Sequence, residues 1–344
     1  MDAETYYCFT IFYRVFGIIN LLLNTYITIK IARATVLHVN FRIVVCITII
    51  TLEMMHISYV LGHYYNSVTL QMTERYYANI GCAIFALLNN ISSASGTISM
   101  FMLALERHIA HKYVNLYEDK PNTLGCVLVI IVAVQSAFIG IVSWWFFLFH
   151  LDEFNLETSR ISCITTDLHW EWGVCGFSLA AIMCVFGAMW LVFLKSTTHR
   201  HRMSRVALSS LSARFQATEN SYTTASIAPS MIFFAIGSII GICICLSRGK
   251  AIQQYGQNSI LSKFLADVAF MVVDVYALIH LACLLLYNPM IRNIVKRDLE
   301  RIACLGISTP PQAFKADYQV ETEVYFNQFR TAWAKEKGKT PVIC

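Results

Sequence analysis

Apolar residues along this chain come in long runs interrupted by short polar stretches, and the runs are continuous rather than alternating with period two. Seven of them, at about 11–31, 43–62, 82–105, 124–149, 173–194, 226–246 and 264–287, approach or exceed the roughly 20 residues needed to cross a hydrocarbon core of about 30 Å as helix. The pattern predicts an all-α membrane protein, a seven-transmembrane helix bundle preceded by a short N-terminal segment, 1–10. Beyond Pro289 the pattern changes. Ile291, Ile294, Val295, Leu299 and Ile302 form one helical stripe, and Arg292, Lys296, Arg297 and Arg301 take the other side. That is an amphipathic helix over 290–305, suited to an anionic inner leaflet. The remainder, 306–344, carries Pro310, Pro311 and mixed charge and reads as a flexible tail.

Polar residues inside the runs carry the next layer of information. Span three holds Asn89, Asn90, Ser92, Ser93, Ser95, Gly96, Thr97 and Ser99, small and polar residues that let neighbouring helices approach closely, so it belongs in the interior. Counted inward from Cys82, residues Asn89, Asn90 and Ser93 line its outer half, where they serve either a ligand or helix packing. Asn20 and Asn24 share a face of span one, where amides in lipid serve interhelical hydrogen bonds. Glu53 and Asp274 lie at mid-depth in spans two and seven. A carboxylate there costs about 3 kcal/mol or more unless it is paired, protonated or facing water, so Asn24, Glu53 and Asp274 are expected in a shared polar interior. Pro229, near the start of span six, predicts a bend.

Composition supports the membrane assignment: 57% of the 344 residues are hydrophobic and 14% are charged, well below the usual share of a soluble domain. The net charge of +5 raises nucleic acid as a partner, but the basic residues recur between apolar runs instead of gathering on one face. Nucleic acid is excluded; the lipid bilayer is the partner. Assigning loops alternately places twenty Lys and Arg on the side opposite the N-terminus and five on its own side, with Arg14 inside span one. The N-terminus is therefore expected outside and the C-terminus in the cytosol. The first ten residues lack the marks of a cleaved signal peptide, so span one is expected to act as its own insertion signal.

Twelve cysteines are present, most of them in spans or on the reducing side. Cys82 ends span three on the outer side, and Cys163 lies in the middle of an acidic loop after span four, so a Cys82–Cys163 disulfide is expected. Cys8 and Cys175 are the competitors. Cys304 follows the amphipathic helix and is open to palmitoylation or to simple burial. No metal-ligand spacing and no nucleophile motif is visible within a span, so neither catalytic residues, a metal site nor a cofactor is expected. The remaining rival is an ion- or proton-coupled transporter using Glu53 and Asp274, against which stands the lack of an internal repeat.

Cys82 and the triplet Glu106, Arg107, His108 stand 24 to 26 residues apart, and in that spacing the third span resembles helix three of rhodopsin-like receptors. Span seven lacks a lysine for a retinal Schiff base, which excludes opsin-type light sensing. The triplet with Tyr117 and Glu118, and the segment Leu211-Ser212-Ala213-Arg214-Phe215-Gln216 followed by Glu219-Asn220, resemble the nematode serpentine chemoreceptors of the Sra superfamily. Class epsilon comes first, with classes ab, alpha and beta as near alternatives. The resemblance implies a chemosensory G-protein-coupled receptor for a small-molecule ligand, in the plasma membrane of sensory-neuron cilia, with a heterotrimeric G protein as partner. It assigns coupling to Glu106, Arg107, His108 and Arg214. The chain departs from the rhodopsin-like pattern at His108 and at Arg292, where tyrosines usually stand. Arg107 itself admits a plainer reading, a cation snorkelling to the headgroups.

Overall fold

A computed structural model describes residues 2–69, 74–113, 123–149, 163, 170–200, 211–256 and 259–304. Regular structure among them is entirely helical: α1 (Ala3–Arg33), α2 (Val39–Thr69), α3 (Arg75–Lys112), α4 (Thr123–Phe149), α5 (Trp170–Arg200), α6 (Leu211–Tyr255), α7 (Ile260–Tyr287) and α8 (Pro289–Cys304). The chain divides into two compact units, Met1–Val295 and Lys296–Cys344. Helices α1 to α7 lie in the first. In the second, Lys296 pairs with Glu300 and Arg301 with Asp298 along the helix.

Six helices, α1, α2, α4, α5, α6 and α7, are long and apolar enough to cross a membrane. Their large apolar side chains face outward: Ile18, Ile19 and Leu22 on α1, Ile130, Val134 and Phe138 on α4, Ile182, Phe186 and Phe193 on α5, Ile236, Ile239 and Ile240 on α6. An all-round apolar surface of this extent is stable only in lipid, so the chain is an integral membrane protein. Helix α3 has the length but not the apolar content. Asn79, Asn89, Ser92, Ser95, Gly96 and Ser99 are buried in a helix that packs against α2, α4, α5 and α6, and its large exposed apolar residues, Tyr76, Tyr77, Ile84 and Leu88, sit in its first four turns. An enclosed helix does not need a lipid-facing side, which is why hydropathy alone passes over it.

The helices run beyond the apolar spans at both ends. Helix α1 begins at Ala3, so the segment read as an N-terminal tail is mostly its first turns. Helix α3 begins at Arg75, which puts Cys82 two turns inside it. The segment read as an inner loop, Leu211 to Asn220, is the start of α6, a 45-residue helix that continues through Pro229. Proline there removes one backbone donor, and hydrogen bonds on either side carry the helix on. Gly256, at φ +83°, closes α6 in the left-handed conformation that glycine tolerates, its N–H bonded to the Ile252 carbonyl. A single residue, Asn288, separates α7 from α8, and its side chain accepts from the Met290 N–H and so caps the new helix.

The main core joins α1 to α7 and the first turns of α8 through residues such as Phe41, Val45, Leu103, Leu191, Met231, Tyr276 and Ile291. A second, smaller cluster stands apart from it: Tyr13, Tyr59 and Phe270, from α1, α2 and α7.

Candidate functional site

Two polar regions are buried in the bundle. The first lies toward the N-terminal end of α7, in the seam between α1, α2 and α7. Helix α2 ascends and α7 descends beside it, and each carries its ionisable residues seven positions apart, two helical turns or about 10 Å. His56 pairs with Asp274 through Nδ1 and Oδ2 at 2.8 Å, and His63 stands 3.9 Å from Asp267. Between these two rungs sits the aromatic cluster, with the Tyr59 and Phe270 rings stacked 3.6 Å apart. Tyr59 donates its hydroxyl to Asp267 Oδ1 at 2.6 Å, and Tyr6 donates to Asp267 Oδ2 at 3.1 Å.

Below the Asp274 rung, α1 contributes amides. Asn20 donates to the Asp274 backbone carbonyl at 3.2 Å, and Asn24 donates to Asn20 Oδ1 at 2.6 Å. Glu53 is 9% exposed and lies against Asn24, His56 and Asp274. Gly17 on α1 faces the His56 ring, and a Cβ there would collide with it, so glycine makes room for the deep rung. Asn24, Glu53 and Asp274 thus share one interior seam. His56, His63, Asp267, Tyr6 and Tyr59, which the sequence reading did not single out, complete it.

The second region is at the opposite end, around Arg107. Glu106 and Arg107 are fully buried and form an ion pair through Nε and Nη2 of the guanidinium. Arg107 Nη1 donates to Asn220 Oδ1 at 3.0 Å and to Thr223 Oγ1 at 2.7 Å on α6. The guanidinium also stacks over the Phe41 ring of α2 at 4.5 Å. Asn220 in turn donates to the Ala110 carbonyl and accepts from Gln216. Glu219 accepts the backbone N–H of His38, in the turn between α1 and α2, at 2.7 Å. Trp190 of α5 donates to His108 Nδ1, and His111 pairs with Thr224 of α6. Arg107 is therefore a fully enclosed tie between α2, α3 and α6, with no exposed surface of the kind a snorkelling cation presents.

Burial, and then the nearby Arg107 and Arg42, press His38 down to about 4, opposed by Glu106. His38 is thus neutral at physiological pH.

Between the two regions, Tyr276 and His280 of α7 meet Ser230 of α6 at 3.1 and 2.6 Å, and the Tyr276 hydroxyl reaches Met100 Sδ of α3. Of the residues expected to face a ligand, Asn89 donates to Ser58 Oγ of α2 at 3.2 Å and Ser93 bonds back to the Asn89 carbonyl. Asn89 thus ties α3 to α2, and Ser93 bonds back along its own helix. The Asn90 amide nitrogen is buried without a partner.

A disulfide joins Cys82 to Cys163, while Cys8 and Cys175 are free and exposed. The acidic residues around Cys163, Arg214's side chain, Tyr117 and Glu118, the tail and the Cys304 side chain lie outside the described residues. Among the described residues no group of three His, Cys, Asp or Glu is placed to hold a metal.

Residues 5–334 match the family described as serpentine type 7TM GPCR receptor class ab chemoreceptor. No curated protein matches the chain.

Proposed function

The chain belongs to this family of class ab serpentine chemoreceptors, and from that premise we propose that it detects a small-molecule odorant, tastant or pheromone and signals to a heterotrimeric G protein. The class is ab, one of the alternatives the sequence left beside epsilon. In this reading α3 is the seventh span, the N-terminus is extracellular, and the receptor works in the plasma membrane of sensory cilia. Helix α8 then lies on the inner leaflet, with the exposed Leu299 turned to lipid and Arg292, Lys296 and Arg297 to headgroups.

The observation that carries the coupling assignment is the enclosure of Arg107 by α6. The residues of the family-like segment, Gln216, Glu219 and Asn220, are those that converge on the end of α3 and on the α1–α2 turn. Arg107 itself is held on α6 by the neutral side chains of Asn220 and Thr223, a latch that a small displacement of α6 would open. A ligand favouring the open arrangement would then present Arg107, with His108 and Arg214, to a cytoplasmic partner. The Cys82–Cys163 disulfide joins α3 to the segment between α4 and α5, and closing a loop of 81 residues stabilises the fold by about 4 kcal/mol on the chain-entropy account.

The test is expression of the chain in a cell with a calcium readout, challenged with volatile and water-soluble compounds. A ligand-dependent signal lost on uncoupling the G protein supports the reading; ligand binding with no G-protein signal defeats it. The transporter alternative draws on Glu53 and Asp274, now found in one seam, and counterflow in proteoliposomes distinguishes it.

A further inference from the structure

We propose that His63, Tyr59 and Asp267 form an acid-responsive clasp at the outer end of the α2–α7 seam, in which a proton taken up by His63 draws α2 onto α7. The device deepens the receptor reading above and rests on it for the side of the membrane that supplies the proton.

The geometry starts from Asp267, which is buried and receives two phenols: Tyr6 of α1 donates to Oδ2 at 3.1 Å, and Tyr59 of α2 donates to Oδ1 at 2.6 Å. His63 lies one turn beyond Tyr59 on α2. Its Nε2 is 3.0 Å from the Tyr59 hydroxyl and 3.9 Å from Asp267 Oδ1. A phenol has one hydrogen, and that of Tyr59 goes to the carboxylate. Its oxygen can therefore only accept from His63, which fixes the hydrogen of the neutral imidazole on Nε2 and leaves the lone pair on Nδ1. The next proton binds there, and the ring becomes a cation without breaking any of these hydrogen bonds. A neutral His63 is linked to Asp267 through Tyr59 alone. As an imidazolium it also attracts the carboxylate directly across 3.9 Å, in a seam where salt screens charges less than at an open surface.

Burial separates this rung from the deeper one. The His56 side chain is 11% exposed and already meets Asp274 at 2.8 Å, whereas the His63 side chain is 29% exposed. A proton from the outer solution reaches the upper histidine without opening the bundle, and nothing larger has to enter the seam. Imidazole is also the side chain whose charge ordinarily changes between about pH 5 and pH 8. The groups facing this one are Asp267 from α7, Tyr59 on α2 itself, and from α1 Tyr6, which shares the carboxylate, and Tyr13, which packs on the Tyr59 ring. Among the described residues no other ionisable side chain pairs with His63; on α3, Gly81 and Phe85 meet Tyr65 instead.

The clasp is made in the arrangement that also latches Arg107 to α6. A proton held better in that arrangement than in the open one shifts the population toward the latched receptor. External acid then lowers its basal signal.

The experiment is a double-mutant cycle on the purified full chain in nanodiscs, with His63→Gln, Asp267→Asn and both changes together, read as thermal midpoints at pH 7.5 and pH 5.5. At pH 5.5 the double variant should lie above the sum of the two single effects by about two degrees or more, and at pH 7.5 that excess should shrink roughly twofold or more. Groups that titrate elsewhere contribute equally to all four chains and cancel. His63→Lys, a permanent cation at this position, keeps the proposal testable should Asp267→Asn fail to fold. Its lead over His63→Gln should be the same at both pH values, while the lead of the unmodified chain over His63→Gln should grow on acidification. Coupling that is equal at the two pH values, or a lead of the unmodified chain that does not grow, overturns the clasp. In cells, moving the medium from pH 7.5 to pH 6 should lower the basal calcium signal of the unmodified chain roughly twofold or more and leave that of His63→Gln unchanged; equal responses in the two overturn its role in signalling. A cycle that behaves as expected in a chain that never signals leaves the clasp standing and defeats the receptor reading. A chain that signals while its cycle ignores pH does the reverse.

Discussion

The two buried polar regions solve the same problem in opposite ways. At the Arg107 end a cation is enclosed with its own carboxylate neighbour, and the remaining Nη1 valence is taken by neutral acceptors on α6. In the α1–α2–α7 seam three carboxylates lie among two histidines and a set of phenols. One region ties its buried carboxylate to an arginine; in the other the basic side chains beside the carboxylates are histidines. Balance suits a latch, which must hold in the absence of anything else.

The largest effect should come from unbalancing the balanced region. Arg107→Ala removes the ion-pair partner of the fully buried Glu106, which by the usual behaviour of such pairs destabilises the fold by about 3–5 kcal/mol. Surface expression and thermal midpoint should both fall sharply, and the double change Glu106→Leu with Arg107→Leu should recover a good part of the loss. A double variant as unstable as the single would mean that the pair's hydrogen bonds to α6, rather than its charge balance, hold this end together.

The seam should respond with the opposite sign. Asp274→Asn exchanges the buried carboxylate that pairs with His56 for a neutral acceptor. The ligand-free thermal midpoint is expected to rise, by the equivalent of about 1 kcal/mol. If Asp274→Asn destabilises the chain as Arg107→Ala does, the seam is already neutral and the contrast between the regions is false.

Much of this contrast could be read from the sequence, and the part that could not has a definite cause. Glu53 and Asp274 stood out because a carboxylate at mid-depth is expensive wherever it points. Their partners did not stand out, because a histidine or tyrosine in a span has many ordinary uses and a single chain does not show which helices are neighbours. One signal was available: His56 and His63 repeat at seven residues, and so do Asp267 and Asp274, the pattern expected of antiparallel helices that pair twice. The inner end was misread for a different reason. Leu211 to Asn220 is polar enough to pass for a loop, yet Gln216, Glu219 and Asn220 are polar because they meet Arg107 and the α1–α2 turn inside a helix. Polarity marked contact with a buried charge, not with water.

A smaller effect should sharpen the idea of a latch. Asn220→Ala removes one acceptor from Arg107 Nη1 and also the donor to the Ala110 carbonyl, yet leaves the Glu106–Arg107 pair intact. Losing hydrogen bonds to a charged group costs about 1.5–3 kcal/mol where they are made. If they are made only in the latched arrangement, that difference appears as a shift toward the signalling state, and basal calcium signal should rise roughly tenfold or more. Unchanged basal signal with lowered stability would make Asn220 a packing residue.

The smallest expected effect concerns acid at the inner face. His38 is held neutral, at about 4 against an ordinary value of 6.5, chiefly by burial and then by Arg107 and Arg42. An unfolded chain takes up a proton at this position below its ordinary range while the folded one does not. The unfolded state therefore binds more protons between about 6.5 and 4, and folded-state stability falls as pH drops through that window. Above it His38 makes no pH-dependent contribution. The backbone N–H of His38 holds Glu219 whatever the side chain, so His38→Gln should keep the tie to α6 while removing the titration. The thermal midpoint of the unmodified chain should drop between pH 7 and pH 5 by more than that of His38→Gln, by a degree or two on the scale of bundles of this size. Identical slopes for the two chains would move the acid sensitivity of this end to another group, leaving His111, which pairs with Thr224 at the same interface, as the one to substitute next.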